Sequence, residues 1–147
     1  MKLIVCTDPR GGIMFNKRRT TSDIIVTADI LRESTNSRLL ISPYSEKIFK
    51  NAEADGYLPS GCKYMVVNDP ISAAGAEDTI FIEDISARPR LDEIDTIVVY
   101  QWYEIYPFDK KFDIDPRVEG FFLVQQYDFP GHNHDLVTKL IYRRKSK

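Results

Sequence analysis

Apolar residues fall along this chain in short runs separated by turn residues, with one stretch at helical spacing between the first two runs. The run Leu3-Ile4-Val5-Cys6 is closed by Thr7-Asp8-Pro9-Arg10-Gly11-Gly12, and an unbroken apolar run bounded by turn residues reads as a strand buried on both faces. Ser22 stands as N-cap before Asp23, after which Ile24, Ile25, Ala28, Ile30 and Leu31 recur at roughly helical spacing until Ser34-Thr35-Asn36; this predicts the first helix. Leu39-Leu40-Ile41 predicts a second buried strand, and Ser42-Pro43-Tyr44-Ser45 opens a second short helix with Ile48 and Phe49 on its apolar side. Beyond the loop 55–61, Tyr64-Met65-Val66-Val67 and Thr79-Ile80-Phe81-Ile82 predict two more strands, and the run 97–102 is the clearest of all. Phe121-Phe122-Leu123-Val124 and the run 136–142 flank Phe129-Pro130-Gly131-His132-Asn133-His134-Asp135, the composition of a hairpin connection. The alternation predicts a three-layer α/β fold, a mostly parallel central sheet ending in a C-terminal antiparallel hairpin.

Composition narrows this without changing it. A chain of 147 residues matches one domain spanning 1–147, with 43% hydrophobic and 29% charged residues, near globular averages. Twenty basic and twenty-two acidic residues give a formal charge of −2, which argues against nucleic acid as a partner. No run reaches the roughly 18 apolar residues that span a membrane. Cys6 and Cys62 form no disulfide framework and are read as reduced thiols, so a cytoplasmic location is expected.

Several clusters invite chemistry. His132-Asn133-His134-Asp135 suggests a metal, but these are the only two histidines, and a catalytic zinc takes about three protein ligands; turn residues explain them better, and no metal is expected. Lys17-Arg18-Arg19 offers adjacent guanidinium groups, which make bidentate contacts to phosphate or carboxylate, or a solvated charge run. Tyr100 and Trp102 alternate onto one strand face, where core packing is favoured over lining a pocket for a planar ligand. Asp92, Glu93 and Asp95 read as surface charges.

The order of elements and several residues resemble the dihydrofolate reductase family across nearly the whole chain. Leu3-Ile4-Val5-Cys6-Thr7-Asp8, Gly12-Ile13 and Asn16 resemble its first strand and the flexible loop over its active site. Pro107-Phe108-Asp109-Lys110-Lys111-Phe112 resembles its Gly-Asp-Thr-Phe-Phe-Pro region, and Phe129, Gly131, His134 and Ile141-Tyr142-Arg143-Arg144 resemble its last hairpin. The resemblance implies an NADPH-dependent reductase of a pterin or folate-like substrate. It implies that the helix carboxylate that assists substrate protonation is Asp23, with Thr27 or Asp29 as the alternatives in other helix registers. It implies that Ser42 and Ser45 stand where the family presents a helix N-terminus to the cofactor phosphate, although simple capping by Ser45 is favoured. It directs Asn16, Arg18 and Arg19 toward a ligand cleft, with Tyr100 facing the ligand.

The departures are as informative. Lys17-Arg18-Arg19-Thr20-Thr21 replaces the family's Pro-Trp pair, and no glycine occurs between Gly75 and Gly120. The family needs consecutive glycines so that backbone N–H groups can approach the cofactor pyrophosphate. The corresponding stretch here is Ile82-Glu83-Asp84-Ile85, and at 4 Å two like unit charges repel by about 4 kcal/mol at an effective dielectric near 20. NADPH in the family pose is therefore disfavoured by Glu83 and Asp84. The rival expectation is a non-catalytic binding protein for a small anionic ligand on the same scaffold.

Overall fold

Both faces of the first apolar run are buried because the strand it forms lies inside the sheet. In the computed structural model, which describes residues 1–57 and 63–145, β1 (Lys2–Thr7) pairs in parallel with β6 (Thr79–Phe81) on one side and β7 (Thr96–Trp102) on the other. Leu3 and Val5 enter one core cluster, and Ile4 the other, the period-two alternation of a strand covered on both sides. Outward from β6 come β4 (Leu39–Ile41) and the short edge strand β5 (Met65–Val66), all parallel. Outward from β7 come β10 (Val137–Arg144) and β9 (Phe121–Phe129), both antiparallel to their neighbours. The sheet order is thus β5-β4-β6-β1-β7-β10-β9, the mostly parallel sheet with a terminal antiparallel hairpin that the alternation predicted.

Helices α1 (Ile24–Glu33) and α2 (Glu46–Ala54) cover one face, where Val26, Ile30, Leu31 and Phe49 pack on Ile4, Phe81, Tyr100 and Trp102. The other face is covered by α3 (Pro70–Ala73), a 3-10 segment at Arg88–Glu93 and the chain before β9. Ile71, Ala87, Ile94, Ile114 and Phe121 bury Leu3, Val5, Ile97 and Val99 there.

Two differences from the sequence reading affect the site. The helix start is capped by Asp23, not Ser22: Asp23 has extended backbone and accepts from the N–H groups of Ile25 and Val26. The segment read as a loop after Gly11 is a small sheet of its own. Strand β2 (Gly12–Phe15) pairs with β3 (Arg18–Arg19) and with β8 (Lys110–Lys111). The turn Asn16-Lys17 has φ 51° and 63°, the positive values that a two-residue hairpin turn demands. Strand β9 also runs five residues beyond the predicted 121–124, because Gln125, Gln126 and Asp128 pair with β10 while facing solvent. Cys62 lies outside the described residues.

Candidate functional site

In open α/β sheets, ligands favour the crevice at the C-terminal ends of the strands, where successive connections leave to opposite faces. Strands β1 and β6 meet that condition. They are adjacent and parallel, yet the chain from β1 continues through the β2–β3 hairpin to α1 on one face, whereas from β6 it passes to Ala87 and Ile94 on the other. This crevice is filled by the protein's own side chains. Arg19 Nε and Nη2 donate to Glu83 Oε2 and Oε1 at 2.7 and 3.0 Å, a bidentate pair. The guanidinium lies 4.7 Å from the Tyr44 ring centre and donates to the Tyr44 carbonyl at 3.3 Å, while the Tyr44 hydroxyl accepts from the Arg19 backbone N–H at 2.8 Å. Burial opposes the Arg19 charge, but the hydrogen bonds and charge of Glu83 prevail and raise its pKa. Cys6 stands close by; loss of solvent around its thiol, then the Glu83 charge, push its pKa well above the ordinary value.

Glu83 therefore presents no bare charge, and the electrostatic objection to a phosphate there needs correcting: Arg19 neutralises it. The obstruction is one of occupancy. Glu83 and the Arg19–Tyr44 stack stand where the chain would need glycine to let a cofactor approach, and Asp84 carries one buried carboxylate oxygen without a hydrogen-bond partner among the described residues. These residues do not fit a pyrophosphate.

In front of the crevice opens a cleft of about 450 Å³, lined by Phe15, Asn16, Arg18, Arg19, Thr20 and Tyr106 among others. The structure brings Asn16, Arg18 and Arg19 together here. Asn16 uses its backbone N–H on Asp109, and the Arg18 guanidinium, which is exposed, makes no hydrogen bond or ion pair among the described residues. Tyr100 is not part of this cleft. It is fully buried under α1, with its hydroxyl donating to Asp29 at 2.5 Å. Burial, then the Asp29 charge, hold its pKa well above the ordinary value.

Asp23 lines a second cleft of about 520 Å³ between α1, α2 and the last hairpin, but its carboxylate is enclosed. Besides the two helix N–H groups it accepts from the backbone N–H of His132 and Asn133 at 2.9 and 3.0 Å. It also accepts from His134 Nδ1 at 2.8 Å. Burial would raise its pKa, yet the donors from His132, His134, Asn133 and Ile25 outweigh it and hold the carboxyl below its usual range. A carboxylate with both oxygens bonded and its proton affinity lowered is poorly suited to delivering a proton. Thr27 returns its hydroxyl to the Asp23 carbonyl. Ser45 begins α2 without a side-chain cap bond, and its hydroxyl is buried with no hydrogen-bond partner among the described residues. Ser42 is buried beside it and makes no side-chain cap bond to the short 3-10 turn that follows.

Three groups escaped the sequence reading. His134 is no mere turn residue: it stacks on Trp102 with ring centres 4.5 Å apart, bonds Asp23, and contacts the Thr21 hydroxyl at 3.1 Å. Lys139 is 2% exposed and bonds both Asp29, at 2.7 Å, and Glu33; burial works against its charge, but these partners prevail and raise its pKa. The legible signal was Asp29 and Glu33 one helical turn apart on α1, facing an apolar strand that contains a lysine. Tyr44, third, reads only as part of a helix start. Among the described residues no group of three or more histidine, cysteine, aspartate or glutamate side chains could hold a metal, and no helix is long and apolar enough to cross a membrane.

No protein-family model and no curated protein sequence matches this chain. Its architecture is nonetheless similar to solved structures. One is the dihydrofolate reductase from Enterococcus faecalis complexed with NADP(H) and RAB-propyl, which superposes with a TM-score of 0.61 at 12% sequence identity over 99% of this chain and 97% of that chain. A likeness that spans both chains from end to end establishes the fold: a mixed seven-stranded sheet between helical layers, with antiparallel C-terminal strands, in the manner of dihydrofolate reductase.

Proposed function

We propose that this protein is a small-molecule-binding protein on a dihydrofolate-reductase-like scaffold, taking an anionic ligand in the cleft before the Arg19–Glu83 pair. The observation that carries this reading is the unequal use of two adjacent arginines. Arg19 is tied to Glu83 and closes the switch-point crevice, whereas Arg18 faces the cleft with no ion pair among the described residues. A guanidinium fixed at its backbone and free at its head suits a carboxylate or phosphate, and the aromatic faces of Phe15 and Tyr106 offer walls for the ligand body. Asn16 adds an amide at the rim. The role is binding without hydride transfer.

A second reading, an NADPH-dependent reductase with Asp23 as its acid, is favoured by the NADP(H) bound to the structural neighbour. It requires Arg19 and Tyr44 to swing out of the crevice. One set of measurements separates the two: calorimetric titration with inorganic pyrophosphate and with NADPH, and absorbance of the reduced nicotinamide in the presence of dihydrofolate. Binding of pyrophosphate that Arg18→Ala weakens, with no consumption of NADPH, supports the first. Turnover that Asp23→Asn abolishes while the fold survives replaces it by the second.

A further inference from the structure

The face of the sheet opposite α1 carries another cleft, about 550 Å³, at the C-terminal ends of β1 and β7. Its floor is the apolar row Val99, Leu140 and Tyr142, all nearly buried. The strand register sets polar groups beside that floor. Gln101 lies opposite Thr138, and Gln126 lies opposite Leu140, so both amides project from the same side of the sheet as Val99. Neither the Gln101 nor the Gln126 side chain has a hydrogen-bond partner among the described residues. A half-buried amide such as Gln101 offers two donors and an acceptor to whatever enters.

The charges around the cleft are sorted in a telling way. Asp8 is exhausted: it accepts from the backbone N–H groups of Arg10, Gly12 and Tyr106 and pairs with Arg10 Nε at 3.6 Å. Asp115 accepts from the Arg117 backbone N–H. Arg10 is thereby engaged, but the two other cations of the wall are free. The Arg117 guanidinium makes no ion pair or hydrogen bond among the described residues, and the Lys111 ammonium meets only the Phe108 ring, 5.7 Å away. With Asp8 paired to Arg10, the open charges of Arg117 and Lys111 outnumber the single carboxylate of Asp115, so the cleft presents net positive charge above an apolar floor and two uncommitted amides, the make-up of a small-ligand site.

We infer that this cleft is a second binding site, for a small anion whose carboxylate or phosphate meets Arg117 and Lys111 and whose hydrogen-bonding body lies over Val99 and Leu140 between Gln101 and Gln126. The site is distinct from the Arg18 cleft, with which it shares no lining residue.

The test is a nuclear magnetic resonance titration of the full chain with inorganic phosphate, citrate and adenosine monophosphate, following the side-chain amide signals of Gln101 and Gln126. At least one probe is expected to move both signals along a saturating curve. The Lys111→Ala, Arg117→Ala double variant, at exposed positions that leave the core intact, is expected to weaken that probe by roughly ten-fold or more, as loss of a charge-assisted hydrogen bond implies. Arg18→Ala is expected to leave it unchanged, which separates failure here from failure of the reading above. If none of the three probes moves these signals up to millimolar concentration, or if the shifts persist undiminished in the double variant, the proposal falls. A shift that Arg18→Ala removes would assign the anion to the other cleft and overturn it equally.

Discussion

Lys17 sits at φ 63° in the turn between β2 and β3, where a side chain crowds the following carbonyl and costs roughly 1–2 kcal/mol. Lys17→Gly is expected to stabilise the protein by about 0.5–1 kcal/mol after the greater flexibility of glycine in the unfolded chain is subtracted. A urea unfolding curve with an unchanged slope and a higher midpoint would show it. Gly131 is the opposite case. A Cβ there would lie 2.4 Å from Asp23 Oδ2, and that oxygen is held by His132, Asn133 and His134, so it has nowhere to retreat. Gly131→Ala is expected to destabilise by about 2–3 kcal/mol, the scale of an overpacked core, again read from the unfolding midpoint. Glycine at this position was visible in the sequence as part of a hairpin connection, but its reason was not. The close approach is to a residue more than a hundred positions away in the chain.

Asp23 joins two elements, since its carboxylate caps α1 and gathers the N–H groups of the β9–β10 connection. Asp23→Asn keeps one acceptor but turns an NH2 group toward donors, and is expected to cost about 3 kcal/mol, as for a buried network deprived of one partner. The pH dependence follows from the lowered pKa. A carboxyl whose folded pKa lies below its unfolded value of about 3.9 contributes stability that is complete above that value and is lost as pH falls through the folded pKa. Asp78, lowered by its pair with Arg38, acts in the same direction. The wild type is expected to lose stability steeply below about pH 4, and Asp23→Asn is expected to show a shallower acid limb in thermal unfolding across the same range. Elements of this kind were legible as far as local pattern reaches: the strand at 39–41 was read at its observed bounds, and α1 to its observed stop at Ser34 and within a residue of its start. What joins them was not, because the partners of Asp23, Lys139 and Arg19 are set by the fold and not by spacing along the chain. The sequence could show that Arg19 was cationic and Glu83 acidic; only the adjacency of β1 and β6 makes them a pair.

For the whole molecule, that pair decides whether the switch-point crevice is open. The long-range order of the sheet brings the β2–β3 hairpin over the ends of β1 and β6, and the hairpin is held from outside by β8 and by the bond from Asn16 N–H to Asp109. Arg19 therefore reaches the crevice from a braced support, and Glu83, only 9% exposed, has little water to replace it. Removing either charge alone leaves the other buried without compensation, which costs about 3–5 kcal/mol, whereas replacing both by apolar groups of similar size is often neutral. Arg19→Met and Glu83→Leu are each expected to destabilise markedly, and the double variant to recover most of the loss, so that the coupling in a double-mutant cycle measured by urea unfolding is at least as large as either single cost. The same cycle bears on function. If Arg19 is a wall of the anion cleft, pyrophosphate affinity should survive in the double variant so long as Arg18 is present. Affinity that instead disappears with Arg19 would show that the guanidinium leaves Glu83 to hold the ligand, and the closed crevice would then be one state of a moving site.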